Sequence, residues 1–307
     1  MPSLMDSAQF VELLEKKFRE VSENVYNDLP SERQNFYRMI DSDSAWEEFF
    51  GVGGYPDISE FNGKLSYLGV SPGYQTKIEP KEYAQGIAFE RKLIDDKKYA
   101  VMEDRVGMLT GAAQRTQEKL AVRPFAYAFS NAFDFMSSEE NLSLCNDSHT
   151  TKAGTSTTYG FDNKGTSALS KTSLAAAWLA MRQFRDDISE RIAMSDGYTL
   201  IVPDTLGDQA DEIVGTKASL DTSDGNINPQ YRRYGVKRYL RLDDYDSNNW
   251  FLVNNDLMKK MLIWIDRIKP ETKTTVDFQT YVLQVAIYFR CAYGFLDWRW
   301  IYGNLVS

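Results

Sequence analysis

The chain of 307 residues carries a single histidine, His149, and two cysteines, Cys145 and Cys291. One imidazole excludes zinc fingers, HExxH metalloproteases and every metal site that needs two histidine ligands. Two cysteines far apart in sequence fit free thiols in a reducing cytosol better than a secreted disulfide scaffold, with one disulfide left open. No apolar run approaches the ~20 residues that cross a bilayer, and the mean hydropathy is -0.44, so no transmembrane helix is expected. Met1 to Phe10 has neither a basic n-region nor an apolar h-region, so no signal peptide is expected. Cations are the minority as well. Lys plus Arg number 35 against 44 Asp plus Glu, a formal net charge of -9, which argues against a protein that grips nucleic acid through its phosphates.

With 43% hydrophobic and 26% charged residues, the chain has the composition of an ordinary globular protein of one or two domains. Phe10, Leu13, Leu14, Phe18 and Val21 recur at three-to-four spacing in the first forty residues, which predicts an amphipathic helical arm in search of a partner surface. From Gly51 to Gly86 glycine and proline punctuate short alternating segments, among them Leu65 with Tyr67 and Ile87 with Phe89. This predicts an extended β-hairpin without a core of its own, projecting onto something else. Ile94 to about Phe135 is the longest helical candidate. Val101, Val106, Leu109, Ala113, Leu120, Phe125, Phe129 and Phe133 supply its buried face, and Pro124 should kink or divide it.

A polar stretch from Ser137 to Thr172 reads as loop with short strands. A second helix is expected from Ser173 to about Ile192, its face formed by Leu174, Trp178, Met181, Arg185, Ile188 and Ile192, with Ser170 or Thr172 as N-cap. Tyr198 to Val202 and Thr205 to Val214 form a strand-turn-helix unit closed by Gly215. After a polar insertion at 215–231, Gly235 to Leu242 and Trp250 to Val253 read as strands. Val276 to Ala292 reads as a long strand covered on both faces.

Few residue groups could carry chemistry. Cys145, Asp147 and His149 fall on one side of an extended segment, but strand spacing would hold Cys145 and His149 ~13 Å apart. A loop histidine with a local hydrogen bond is the plainer account. The glycine-rich runs Gly51 to Gly54 and Asn163 to Ser167 match no phosphate-binding motif, and turn formation explains both. The acidic pairs Asp95 with Asp96, Asp186 with Asp187 and Asp243 with Asp244 read as solvated faces and helix ends. Arg232, Arg233, Lys237, Arg238 and Arg241, interleaved with Tyr231, Tyr234 and Tyr239, have the composition of a nucleic-acid surface. In so acidic a chain, pairing with acidic neighbours is the favoured reading. Trp298, Trp300 and Tyr302 alternate at strand period and suit a core or interface.

Taken in order, several segments resemble the major capsid proteins of tailed bacteriophages with the Hong Kong 97 capsid fold, and within them the Mu-like major head subunit family. They are GIAFERKLIDD (86–96), CNDSH (145–149), LSKTSLAAA (169–177) with Met181, Arg182 and Phe184, and TLIVP (199–203) followed by ADEI (210–213). NWFL (249–252), Asp277 with Phe278 and DWRW (297–300) complete the set. The resemblance runs from about residue 30 to the C-terminus and implies an α+β fold. Its parts would be an N-terminal arm at 1–51, an extended hairpin loop at 52–94, a peripheral domain with a spine helix at 95–170, an axial α/β domain at 171–260 and a C-terminal return to the peripheral domain at 261–307.

The function implied is self-assembly into hexamers and pentamers of an icosahedral shell around double-stranded DNA, in a virion made in the host cytoplasm. Scaffolding, decoration and portal proteins would be the further partners, with scaffolding supplied as a separate protein and no membrane involved. The resemblance carries over no catalytic residue, cofactor or metal, and no Lys–Asn crosslink is expected. Two rivals stand beside it: an encapsulin-like nanocompartment shell of the same fold, and a soluble α/β enzyme using Cys145 and His149.

Overall fold

The computed structural model describes residues 7–61, 63, 65, 67, 69, 72–132, 134–217, 227–277 and 279–307. Phe133, Phe278 and most of the insertion at 215–231 lie outside the described residues, as does the side chain of Phe10. The first helix, α1 (Ser7–Asp28), buries Leu14 and Phe18 and leaves Leu13 exposed. The arm is seated on its own chain. Leu14 and Phe18 close a small core made by Phe89, Met102, Val106, Leu283 and Val285, so this part of the apolar stripe is covered within the chain, while Leu13 stays exposed. Further along, Ser22 and Thr110 share a 2.8 Å hydrogen bond, Thr272 donates to Ser22 at 2.9 Å, and Tyr26 donates to Gln117 at 2.8 Å.

A single turn, α2 (Arg33–Phe36), leads into β1 (Arg38–Asp41). Next come β2 (Glu47–Val52) and β3 (Pro72–Ile78), which pair antiparallel, and β4 (Lys81–Phe89). The hairpin expected over 51–86 is therefore shorter and set earlier. It is β2 with β3, whereas β4 leaves it to pair with a strand from the far end of the chain. After α3 (Arg91–Asp95) a turn with Lys97 at φ 51° breaks the predicted helix, which restarts as α4 (Tyr99–Ala126). Val101 is exposed, while Val106, Leu109, Ala113, Leu120 and Phe125 are buried. Pro124 lies in the last turn of α4, where its missing N–H costs one bond, to the Leu120 carbonyl, close to the helix end.

The polar stretch contains only β5 (Ser137–Ser138) and β6 (Lys164–Gly165). Helix α5 (Lys171–Met181) starts as expected at Ser170. That side chain accepts from the Ser173 backbone at 3.1 Å, while the Ser173 hydroxyl accepts from the Ser170 backbone at 2.9 Å, a reciprocal cap. It stops well short of Ile192. The Asp186 carboxylate takes the backbone N–H groups of Ile188 and Glu190 at 3.0 and 2.9 Å, offering that segment a turn in place of helix.

The remaining elements are β7 (Tyr198–Val202), α6 (Gly207–Gly215), β8 (Gly235–Arg238), β9 (Trp250–Asn254), α7 (Asn255–Met261), β10 (Leu262–Val276), β11 (Leu283–Phe295) and β12 (Ile301–Asn304). Strand β8 ends before Leu242, in a turn over Leu240–Leu242. The strand expected from Val276 begins only at Leu283, after a turn in which Thr280 donates to Asp277 at 2.7 Å. Gln284 and Ala286 are exposed, so both faces of β11 are covered only from Cys291 onward. The β10 strand was not foreseen, because Lys269 to Thr275 are polar and leave no alternating apolar signal.

Among the described residues the strands form three sheets, ordered β1-β10-β11-β4, β6-β12-β9-β7-β8 and β2-β3-β5. Strand β12 joins β9 in the five-stranded sheet, away from β10 and β11. The five-stranded sheet and α2 meet the end of α4 at Phe125, whose ring lies 5.8 Å from Phe36, 6.0 Å from Tyr239, 5.8 Å from Phe251 and 5.9 Å from Trp300. Phe125→Ala is expected to cost about 3–5 kcal/mol of stability, read as a lowered midpoint in denaturant unfolding with an unchanged slope.

Candidate assembly surface

The hairpin is pinned at its base and bare at its tip. At the base Gly51 and Gly73 face each other across β2 and β3. A Cβ on Gly73 would lie 2.7 Å from the Gly51 carbonyl carbon, so the neck closes only around glycine. Gly54 is similarly confined, since a Cβ there would lie 2.4 Å from the Asp186 carboxylate. Tyr74 and Thr150 share a 2.7 Å hydrogen bond, and the Gln75 backbone donates to Glu139 at 2.8 Å, tying β3 to the polar stretch. Phe50, just before the neck, and Tyr55, Ile58, Phe61, Leu65 and Tyr67, beyond it, are all exposed, Ile58 at 99% and Tyr67 at 91%. An apolar patch of this kind on one projection marks an interaction surface.

The residues singled out for chemistry are structural. Cys145 is fully buried, its backbone donates to Ala128 at 2.7 Å, and burial pushes its thiol above the ordinary range, away from the thiolate a nucleophile needs. The His149 ring is buried and stacks on Trp298 with centroids 4.2 Å apart. Its Nδ1 lies 3.0 Å from Glu140 Oε1 and its Nε2 3.1 Å from Asn163 Oδ1, so both ring nitrogens are engaged. Asn163, buried although its run reads from the sequence as a turn, is the hub of this site. Its amide nitrogen donates to the carbonyls of Leu144 and Ile301 at 2.8 and 3.2 Å, which locks the CNDSH segment to the C-terminus.

Asp186 and Asp187 are half-buried, contrary to the solvated helix face expected of them, because α5 ends before they are reached. Asp187 pairs with Arg299 at 2.7 Å, and Arg299 pairs with Asp297 at 2.7 Å. Asp243 accepts from the Asp204 backbone and the Thr205 hydroxyl, both at 2.6 Å, and these bonds hold its carboxyl below the usual range against the opposing effect of burial. In the basic run, Arg238 meets Asp208 and Asp211 at 2.9 and 2.6 Å, Lys237 meets Glu32 at 3.2 Å, and the Arg233 guanidinium lies 3.6 Å over Trp178. The run is largely committed within the chain. Among the described residues no cluster of three or more acidic, histidine or cysteine side chains could hold a metal ion.

An α+β chain that offers an uncovered apolar hairpin, and engages its reactive side chains in structural bonds, is a building block of a larger assembly. The match to known proteins agrees: residues 73–304 fit the model of the phage capsid protein family, and the chain belongs to that family. No curated protein matches the sequence. Among solved structures the chain is similar to the mature capsid of bacteriophage PhiM1, at 10% identity over 91% of this chain and 88% of that one, with a TM-score of 0.58. It is also similar to a chain of Mycobacterium phage Patience (8% identity, 100% of this chain and 90% of that one, TM-score 0.55). A virus-like particle from Pyrococcus furiosus resembles it as well (10% identity, 94% and 98%, TM-score 0.52). At these identities the likeness is one of fold, and that fold is the α+β Hong Kong 97 capsid type.

Gly73→Val is expected to force the neck apart and abolish assembly while the helical circular dichroism signal stays within error of the parent. Cys145→Ala, by contrast, is expected to leave assembly intact, as sedimentation of the particles would show.

Proposed function

We propose that this capsid protein assembles into hexamers and pentamers of a closed icosahedral shell that encloses double-stranded DNA, as a non-enzymatic component of the virion. The observation that supports this most directly is the exposed hairpin, whose apolar side chains need a second chain to cover them. Obligate interfaces commonly bury about 2,000–5,000 Å², and projecting segments gain that area from neighbours. In this reading the hairpin reaches over an adjacent subunit, α4 is the spine helix of a peripheral domain, and residues 171–260 form the axial domain around the five- and six-fold centres. Scaffolding, decoration and portal proteins are the further partners, and assembly takes place in the host cytoplasm.

The order of the segments from GIAFERKLIDD to DWRW supports a place among Mu-like head subunits. The net charge of -9 suits a lining that holds DNA without neutralising many phosphates. An encapsulin-like compartment would use the same fold, but the family match favours the phage reading.

Electron microscopy of the expressed protein, alone and with any co-encoded scaffold, is expected to show closed shells or capsomers. Uniform monomers under every condition would refute the proposal. Ile58→Asp combined with Phe61→Asp is expected to leave a folded monomer that forms no shells, because charges on the tip cannot be buried unpaired.

A further inference from the structure

We propose that His149 is a positioning residue for the hairpin: its ring carries a proton on both nitrogens, and this buried imidazolium clasps the base of the hairpin to the C-terminal strand. The partners of the ring require it. Nε2 faces Asn163 Oδ1 at 3.1 Å and Nδ1 faces Glu140 Oε1 at 3.0 Å. The Asn163 amide cannot turn round to offer its nitrogen instead. That nitrogen already meets the carbonyls of Leu144, Ile301 and Trp298 at 2.8, 3.2 and 3.4 Å, and Oδ1 accepts the Asn146 N–H at 2.7 Å. Glu140 Oε1 likewise accepts the Thr150 N–H, at 3.1 Å. Both ring nitrogens therefore point at oxygens that accept, and only the imidazolium form donates from both. In a neutral ring one nitrogen lone pair would face an oxygen lone pair, at a residue 1% exposed to water.

The charges nearby suit a cation. Burial, and then Asp147, push the Asp162 carboxyl up from its ordinary value, and the His149 ring opposes them. The neighbouring cations are committed elsewhere. Arg299, 4.9 Å over the Trp298 ring on which His149 stacks, pairs with Asp187 and Asp297, both at 2.7 Å. Lys152 pairs with Glu139 at 2.6 Å. Among the described residues Glu140 has no ion-pair partner except His149.

The two ends of the clasp lie on different parts of the chain. On one side Asn163 spans Leu144 and Ile301, and its own carbonyl takes the Gly303 N–H of β12 at 2.9 Å. On the other side Glu140 and Thr150 belong to the ledge under β3, where Thr150 meets the Tyr74 hydroxyl and Glu139 accepts the Gln75 N–H. A cavity of about 260 Å³ between neck and body is lined by Gly51, Gly73, Tyr74, Glu140, Thr150 and Trp298, among others. The ring links the seat of the hairpin to β12, and losing its second proton would leave one of those ends without a donor.

The single histidine makes the test direct, because isotope-labelled histidine reports on this ring alone. Solid-state nitrogen NMR of the sedimented full chain at neutral pH is expected to show hydrogen on both ring nitrogens. A bare Nδ1 or Nε2, including the case in which Glu140 holds the proton, overturns the proposal. Hydrogen–deuterium exchange of β3 reads the seating. His149→Phe keeps a ring against Trp298 but neither donor, and exchange in β3 is expected to quicken by roughly tenfold or more while β7 and β9 match the parent. Unchanged exchange in β3 overturns the clasp as well. If His149→Phe does not fold, Glu140→Gln, which removes the charge and keeps the shape, takes its place: faster exchange in β3 supports the clasp and unchanged exchange overturns it. None of these measurements requires shells to form, so the capsid reading stands or falls separately.

Discussion

The packing around Phe125 is the joint on which the rest of the chain depends. That ring, one residue after Pro124 at the end of α4, touches aromatic rings from α2, from the turn after β8, from β9 and from the segment before β12. Four stretches distant in sequence are thereby fixed to one helix end, with edge-to-face and tilted contacts that favour particular orientations over general apolar packing. The joint ties the five-stranded sheet to the end of α4 and to α2, which leads directly into β1 of the four-stranded sheet. Close by, α4 contributes a second anchor. The buried Glu118 carboxylate accepts from the Ser31 hydroxyl at 2.9 Å and from the backbones of Glu32 and Arg33 at 3.3 Å, while the Arg33 guanidinium lies 4.9 Å over Trp264.

A body fastened this firmly can carry a projection that is not fastened at all. The glycine neck at Gly51 and Gly73 brings two strands close enough to pair, and among the described residues beyond it Tyr55, Ile58, Phe61, Leu65 and Tyr67 stay exposed. The contrast with α1 is instructive, because both are amphipathic and both lack a core of their own. Helix α1 finds cover for Leu14 and Phe18 in the groove of Phe89, Met102 and Val106, within the subunit. Among the described residues of the hairpin tip, Tyr55, Ile58, Phe61, Leu65 and Tyr67 are left uncovered, and these apolar groups remain available for association. For a phage capsid protein this division leaves one set of surfaces to hold the subunit together and another to join subunits.

Much of this was legible in the residues because it is local. Ser170 and Ser173 announce the start of α5, the β-branched run Thr199 to Val202 announces β7, and the glycine and proline density of 51–73 announces a turn-rich projection. Long-range pairing was less legible. Nothing in Lys81 to Phe89 says that its partner lies at Leu283 to Cys291, and Lys269 to Thr275 carry too little apolar alternation to be seen as strand. The end of α5 was missed because the Asp186 carboxylate competes for backbone donors, an effect that periodicity does not register. Asn163 reads only as part of a turn for a related reason: an asparagine in a polar stretch looks like loop until its three partner segments are brought around it.

By itself the sequence narrowed the chemistry open to the protein, and the order of its segments from GIAFERKLIDD to DWRW carried a resemblance to tailed-phage capsid proteins. One histidine and two distant cysteines exclude most site chemistries, the acidic balance excludes tight phosphate binding, and an apolar segment rich in glycine and proline cannot bury itself. These follow from composition and short-range sterics, which act before any fold exists. Only the tertiary structure decided that α1 is covered within the chain, that β4 leaves the hairpin for the long sheet and keeps one edge free, and that His149 and Cys145 are held as packing groups. Each of those outcomes is a contest between surfaces far apart in sequence, settled by which pairing removes the most apolar area from water and leaves the fewest backbone groups unpaired.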